Sequence, residues 1–347
     1  MKAQSETVYM ATMLAGVEPI VVDEIRSKIG DAQIVEIRRG KVFFSSKHSV
    51  SQVKSLRTVD NLYIYIGRFP VGPHKIHLKD LEENMRRMDI SKAIDLDKYR
   101  HRNVTFAVNA SRSGKQTYSR FDLSEAANRG LQKQFPTWTV GTPDHRELEF
   151  RLDVTDDQAV FCYRLTDSAF RFRGGQRMFS PAALRPTVAH ALVWHSRPDH
   201  DEFFLDPFCG SGTIIAERAY YPFGKLYGGD ISEDAVEVAK QNVANIDGAV
   251  ISRWDARHLP LDQGTVDKVV SNLPFGEQIL DPSEIYDLYL KFVKELKRVM
   301  KPNGSAFLMT DKVKELLRVT DKFGLECYVE LELSLKGLHP KVFKVNF

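Results

Sequence analysis

Cysteine is scarce in this chain of 347 residues. Only Cys162, Cys209 and Cys327 occur, an odd number set far apart, with no C-x-x-C pair and no His/Cys ligand spacing. A disulfide framework and a structural zinc are therefore not expected, nor any other metal. Long apolar runs are missing too: none approaches the roughly 18 to 20 residues that cross a bilayer. The opening MKAQSETVYM lacks the basic and apolar layout of a signal peptide. A soluble, cytoplasmic chain with no membrane contact is the expectation. Core-forming residues, by contrast, are plentiful. With 43% apolar and 27% charged residues, a chain of this length accommodates two or three domains.

Acid is missing locally rather than globally. The net charge of +3 divides unevenly: residues 1–200 carry 31 Lys/Arg against 23 Asp/Glu, and residues 201–347 carry 18 against 23. A basic part followed by an acidic part fits a polyanion-binding module joined to something with a different task. Between Asp97 and Asp122 no acid occurs, while Lys98, Arg100, Arg102, Arg112, Lys115 and Arg120 fall there among Tyr99, Phe106, Tyr118 and Phe121. Arg112 to Arg120 also lies where a strand pattern hands over to a helix pattern, a place that presents side chains and backbone N–H groups to a phosphate. A solvated basic loop is the alternative. A second acid-free window, Ser168 to Pro198, holds Arg171, Arg173, Arg177, Arg185 and Arg197 around Gly174-Gly175. It reads as a linker with a working face. The candidate RNA contacts are Arg100, Arg102, Arg112, Lys115, Arg120, Arg171, Arg173 and Arg177.

Periodicity orders the first 70 residues. A strand is expected at Val8 to Leu14, a helix at Val17 to Ile29, a hairpin at Gln33 to Ile37 and Lys41 to Ser45, a helix at Ser49 to Arg57 and a strand at Leu62 to Gly67. This β-α-β-β-α-β order is the ferredoxin-like unit. After Phe69-Pro70-Val71-Gly72-Pro73, helices are predicted at Leu78 to Met88 and Ser91 to Leu96, a strand at Val104 to Ala110 and a helix at Ser124 to Phe135. A hairpin of Glu147 to Val154 and Ala159 to Leu165 follows. The stretch FAVNASRSGKQTYSRFDLSEAANRGL resembles a THUMP domain, the RNA-binding module of several tRNA-modifying enzymes, which in those enzymes follows a ferredoxin-like domain. The expected division is 1–70, ferredoxin-like; 71–167, THUMP; 168–185, linker; and 186–347, a final domain.

That last part alternates strand and helix patterns from Phe203 to Lys322 and closes with two strands, Leu325 to Leu331 and Val342 to Phe347. The pattern predicts an α/β fold, a doubly wound parallel sheet with a terminal antiparallel hairpin and a ligand at the carboxyl ends of its strands. The first strand ends in Asp206-Pro207-Phe208-Cys209-Gly210-Ser211-Gly212-Thr213, where Gly210 and Gly212 let the backbone approach a ligand. It is not the dinucleotide fingerprint, because Ile215 stands at the third glycine position, and it lacks the lysine of a phosphate loop. Asp230, 18 residues after Gly212, is suited to the two hydroxyls of a ribose. Asp255 after the third strand could reach an adenine amine or simply cap a helix.

The discriminating element is Ser271-Asn272-Leu273-Pro274-Phe275-Gly276 after the fourth strand. Hydride chemistry has no need of it. An amine about to be methylated does, because its lone pair is delocalised into the ring and must be turned toward the methyl donor. The Asn272 side-chain oxygen and the Pro274 carbonyl can each accept one N–H, while Phe275 stacks on the base.

DPFCGSGT, GGDIS, SPAALRPT and NLPFG together resemble the THUMP-domain class I methyltransferases that make N2-methylguanosine in tRNA, including those acting on the sixth nucleotide of the acceptor stem. The resemblance implies a cofactor set for S-adenosylmethionine of Asp206, Phe208, Cys209, Gly210, Ser211, Gly212, Thr213, Asp230, Ile231, Asp255, Ala256 and Asn272. It also implies a tRNA partner, S-adenosylhomocysteine as product and no metal. NLPFG departs from the commoner N-P-P-Y/F at Leu273. Competing readings are a methyltransferase for another tRNA guanosine or for rRNA, a non-catalytic RNA-binding protein or chaperone and, more remotely, a nucleotide-dependent oxidoreductase. The sequence leaves the oligomeric state open; a monomer suffices.

Overall fold

The computed structural model describes residues 6–142, 145–175, 177–178, 183–274, 282–335 and 337–347. Two sheets organise them. The first is eight-stranded, in the order β2-β3-β1-β4-β8-β7-β5-β6. Its strands are β1 (Thr7–Thr12), β2 (Gln33–Arg38), β3 (Lys41–Ser46), β4 (Asn61–Pro70), β5 (Val104–Ser113), β6 (Trp138–Val140), β7 (Leu148–Thr155) and β8 (Gln158–Arg164). Helices α1 (Glu18–Lys28), α2 (Val50–Val53), α3 (Leu78–Arg87), α4 (Leu96–Tyr99) and α5 (Arg120–Gln134) connect them. The first four strands take the 4-1-3-2 arrangement of the ferredoxin-like unit. β4 then pairs antiparallel with β8 from Tyr63↔Arg164 to Pro70↔Gln158, so the sheet continues past residue 70 without a break.

The second sheet runs β11-β10-β9-β12-β13-β15-β14. It contains β9 (Phe203–Asp206), β10 (Lys225–Asp230), β11 (Ala249–Arg253), β12 (Val266–Asn272), β13 (Met300–Thr310), β14 (Glu326–Glu332) and β15 (Lys341–Asn346). Helices α6 (Pro186–His195), α7 (Thr213–Arg218), α8 (Glu233–Val243), α9 (Pro282–Val299) and α10 (Val313–Lys322) belong to it. β9 to β13 are parallel, and β15 enters antiparallel between β13 and β14. This is the expected doubly wound α/β sheet with its closing hairpin. The chain leaves β9 for β10 on one side and returns to β12 on the other, so the crevice at the carboxyl ends of β9 and β12 is the topological switch point.

Local chemistry moved several boundaries. The helix expected over Ser49 to Arg57 stops at Val53, because the N–H groups of Arg57 and Thr58 go to the buried Glu24 carboxylate, each at 2.9 Å. No helix forms over Ser91 to Leu96. Ser91 turns onto the Asp89 carboxylate through its N–H (3.0 Å) and hydroxyl (2.6 Å), and Asp95 accepts from Asp97 N–H to start α4 instead. α5 begins earlier than its apolar pattern, at Arg120, under a capping box of Ser119 and Asp122. β6 was not anticipated. It is three residues long and buries only Trp138, which stacks on Phe135 at 4.4 Å.

The two sheets meet through a shared apolar layer in which Val21 and Ile25 of α1 join Val188 and Leu192 of α6. Trp194 Nε1–H donates to Asp23 at 2.7 Å, and Thr187 Oγ1–H to Asp60 at 2.6 Å. No helix among the described residues is long and apolar enough to cross a membrane.

Candidate active site and nucleic-acid interface

Four parallel strands bring Asp206, Asp230, Arg253 and Asn272 to one edge of the second sheet. Asp206 is buried; its Oδ1 accepts from Ser271 Oγ–H (2.6 Å) and Phe208 N–H (3.3 Å). Burial pushes its carboxyl up to about 7. The following turn is tied to the next strand: Cys209 N–H donates to the Gly229 carbonyl at 2.9 Å, and Gly210 N–H to Asp230 Oδ2 at 3.0 Å. Gly210 and Gly212 both have positive φ, 51° and 75°. A Cβ at Gly210 would enter open space, whereas one at Gly212 would press on Ala239 at 3.1 Å. The first glycine thus leaves room above the turn, and the second seats it on α8. Cys209 is buried and its thiol is raised by that burial, which makes it a packing group rather than a nucleophile. Ser211 and Thr213 are buried with their hydroxyls 3.3 Å apart, and Phe208 packs edge-on against Phe292.

Asp230 also accepts the Ser232 N–H on Oδ1 at 3.0 Å. Two of its acceptor positions hold the turn, and a carboxylate has about two more for a diol. Ile231 beside it is 60% exposed, an apolar surface at the rim. Asp255 is differently occupied: Arg257 grips both its oxygens at 2.6–2.9 Å and donates its backbone N–H at 2.9 Å. That hydrogen bonding holds the Asp255 carboxyl below its usual range. No helix starts at Asp255, so it is not the helix cap considered for it; its carboxylate organises the turn to His258, and Ala256 beside it is buried.

At the end of β12 the Asn272 Oδ1 atom is buried with no hydrogen-bond partner among the described residues. Leu273 is buried and donates its N–H to the Met309 carbonyl at 3.0 Å, which accounts for an apolar residue at that position. The Pro274 carbonyl, expected to accept one N–H of an incoming amine, already accepts Tyr289 Oη–H at 3.0 Å. One lone pair remains. Tyr289 also meets Thr310 Oγ1 at 2.7 Å, a contact with no signal in the sequence. Phe275 lies outside the described residues, as do positions 180–182 of SPAALRPT.

The basic window is not one patch. β5 runs between its two halves, so Arg100 and Arg102 stand roughly 30 Å from Arg112, Lys115 and Arg120. All five are exposed; Arg102 is paired with Glu147 at 3.2 Å. Phe106 and Tyr118, read as interleaved aromatics, are core residues, while Phe121 is 69% exposed beneath the Arg120 guanidinium at 4.8 Å.

Arg173 and Arg177 require correction. Expected to face RNA, they close on Glu217 of α7, with Arg177 Nη1 at 2.7 Å and Arg173 Nε at 3.2 Å. Arg57 Nη2 adds 2.9 Å, and His190 Nδ1 lies 3.0 Å away. A carboxylate only accepts, so His190 Nδ1 carries the proton and Nε2 faces the Tyr221 hydroxyl at 2.9 Å. Burial would raise the Glu217 carboxyl; His190, Arg173 and Arg57 outweigh it and hold it well below its ordinary 4.5. Burial lowers His190. The acid that neutralises this window lies more than 35 residues downstream, where local charge counting does not reach.

Residues 173–341 match the RMKL-like methyltransferase domain family UPF0020. The tRNA (guanine(6)-N2)-methyltransferase of Methanocaldococcus jannaschii is 24% identical over 383 aligned residues, 96% of this chain and 98% of that protein. Among solved structures, TrmN from Thermus thermophilus superposes with a TM-score of 0.80 at 22% identity, covering 99% of both chains. SMU.472, a methyltransferase solved with SAH, gives 0.76 at 20% identity over 99% and 98%. Residues 173–341 are thus a methyltransferase domain of the RMKL-like UPF0020 family.

Proposed function

We propose that this chain is an S-adenosylmethionine-dependent tRNA methyltransferase that modifies the exocyclic N2 amine of a guanosine, the sixth nucleotide of the acceptor stem. The observation that carries the reading is the unpartnered, buried Asn272 Oδ1 at the switch point. A buried acceptor left empty costs free energy unless something else fills it. The nearly full-length similarity to an enzyme named for guanine-6 N2 methylation supports the substrate.

S-adenosylmethionine would supply an electrophilic methyl on a sulfonium. The turn from Asp206 to Gly212 and the Asp230 carboxylate would hold it, with Ile231 as apolar rim. Asn272 Oδ1 and the free lone pair of the Pro274 carbonyl would each accept an amine N–H and so turn the nitrogen lone pair out of the ring plane. With S-adenosylmethionine bound, the amine nitrogen would take the methyl as the S–C bond broke, and the spare proton would leave to water. Phe275 is assigned by its place in NLPFG to stack on the extruded base. The first sheet would act as the RNA-binding part: residues 1–70 as a ferredoxin-like domain and 71–167 as a THUMP domain, with Arg100, Arg102, Arg112, Lys115 and Arg120 as phosphate contacts.

Incubating the protein with tRNA and methyl-labelled S-adenosylmethionine, then analysing digested nucleosides by mass spectrometry, tests this reading. N2-methylguanosine at position six is expected. Label in another nucleoside, or in rRNA alone, would refute the assigned substrate.

A further inference from the structure

Away from the methyltransferase edge, the first sheet carries a cavity of ≈ 260 Å³ lined by Asn61, Tyr63, Asn109, Arg151, Arg164 and Arg171, among others. It opens on the face opposite α3 and α5. Along β7 the apolar Leu148, Phe150 and Leu152 belong to the core, while the intervening Glu149 and Arg151 line the cavity.

The cationic groups there are held in advance. Glu149 accepts from Arg164 Nη1 (2.6 Å), Asn109 Nδ2 (2.5 Å) and Arg146 Nη2 (2.5 Å), and Asp153 accepts from Arg151 Nε (2.9 Å) and Lys41 Nζ (2.7 Å). Arg164 Nη2 also donates to Asn61 Oδ1 at 2.6 Å. Three arginines and a lysine thus share two carboxylates. Among the described residues three buried N–H donors of this cluster remain empty, Arg146 Nη1, Arg164 Nε and Arg171 Nε, the last two on arginines that line the cavity. Among the described residues Arg171 forms no ion pair; its guanidinium lies 4.8 Å from the Phe172 ring. Both carboxylates are already engaged by arginine, so the uncompensated charge and the empty donors call for an anion from outside. Oriented guanidinium forks match phosphate oxygens.

We infer that this cavity is a phosphate-binding site, and that its occupant is a backbone phosphate of the RNA substrate, held by Arg171 with Arg164 behind it. The inference rests on the tRNA reading above. It assigns a role to the start of the acid-free window, whose later arginines, Arg173 and Arg177, are taken by Glu217. It also places an RNA contact where the first sheet leads into the connection to α6, between the exposed arginines on and beside β5 and the second sheet in chain order.

Equilibrium binding of an unmodified tRNA transcript over a salt series to full-length wild type, Arg171→Ala and Arg171→Lys tests it. Arg171→Ala should weaken binding roughly tenfold, the scale of one charge-assisted contact, and reduce the slope of log K against log salt by about 0.7–0.9. Arg171→Lys should keep the slope and recover only part of the affinity. S-adenosylmethionine affinity serves as the folding control. Wild-type slope and affinity in Arg171→Ala would overturn the site while leaving the tRNA reading standing. Absence of tRNA binding by the wild type would overturn both.

Discussion

Two places in this molecule bury polar side chains, the seam around Glu217 of α7 and the carboxyl edge of the second sheet, and they treat them oppositely. Around Glu217 every carboxylate oxygen is met: Arg57, Arg173, Arg177 and His190 converge on it, and His190 is closed off by Tyr221. At the Asp206 and Asn272 edge the acceptors are left incomplete, with Asn272 Oδ1 unpartnered and Gly210 facing open space. A polar cluster whose carboxylate is saturated rigidifies, although Arg57 Nε in it is buried without a partner among the described residues. An unsaturated one at a switch point awaits a ligand. The seam therefore reads as architecture that fixes the first sheet against the second, and the edge as the candidate place for the proposed chemistry.

The largest effect expected from breaking this contrast is on stability. Glu217→Ala leaves three guanidinium groups facing one another without their anion and should cost about 3–5 kcal/mol, read as a lowered denaturation midpoint. A variant as stable as wild type would contradict the architectural role. The smaller Asp230→Ala change should leave the fold intact but weaken S-adenosylmethionine binding by about 1.5–3 kcal/mol, measured by calorimetry.

The two regions should also titrate in opposite directions. The Glu217 carboxyl is depressed, so its stabilisation is present above 4.5 and is lost as pH falls below that value. Asp206 is raised to about 7, so its burial costs stability progressively as pH climbs from 3.8 through 7. A cation binding beside Asp206 favours its ionised form. S-adenosylmethionine affinity should therefore rise with pH up to about 7 and level off, and Asp206→Asn should flatten the profile; a flat wild-type profile would separate Asp206 from the cofactor. The smallest effect concerns the exposed loop: Arg112→Ala with Lys115→Ala should lower the salt slope of tRNA binding by about 1.4–1.8, and an unchanged slope would make these residues merely solvated.

What the sequence disclosed follows from range. The parallel strands β9, β10 and β12 are short runs closed by Asp206, Asp230 and Asn272, so both the strands and the candidate site at their ends were legible within eight-residue windows. Helix ends governed by a distant acceptor were not: α2 stops because Glu24, on another helix, takes the N–H groups of Arg57 and Thr58. The same limitation misassigned Arg173 and Arg177. A stretch free of acid in sequence is not free of acid in space once α7 delivers Glu217. Tyr289, which shares the Pro274 carbonyl with the site, sits in the middle of an ordinary amphipathic helix and carries no local mark.

The most direct measurement is single-turnover methyl transfer by Asn272→Ala, made alongside equilibrium affinities for S-adenosylmethionine and tRNA. Removing this buried, unpartnered acceptor should slow transfer by roughly 10² or more and leave both affinities near wild type. Transfer at the wild-type rate would mean that the target amine is oriented elsewhere and that the empty acceptor has no part in the chemistry.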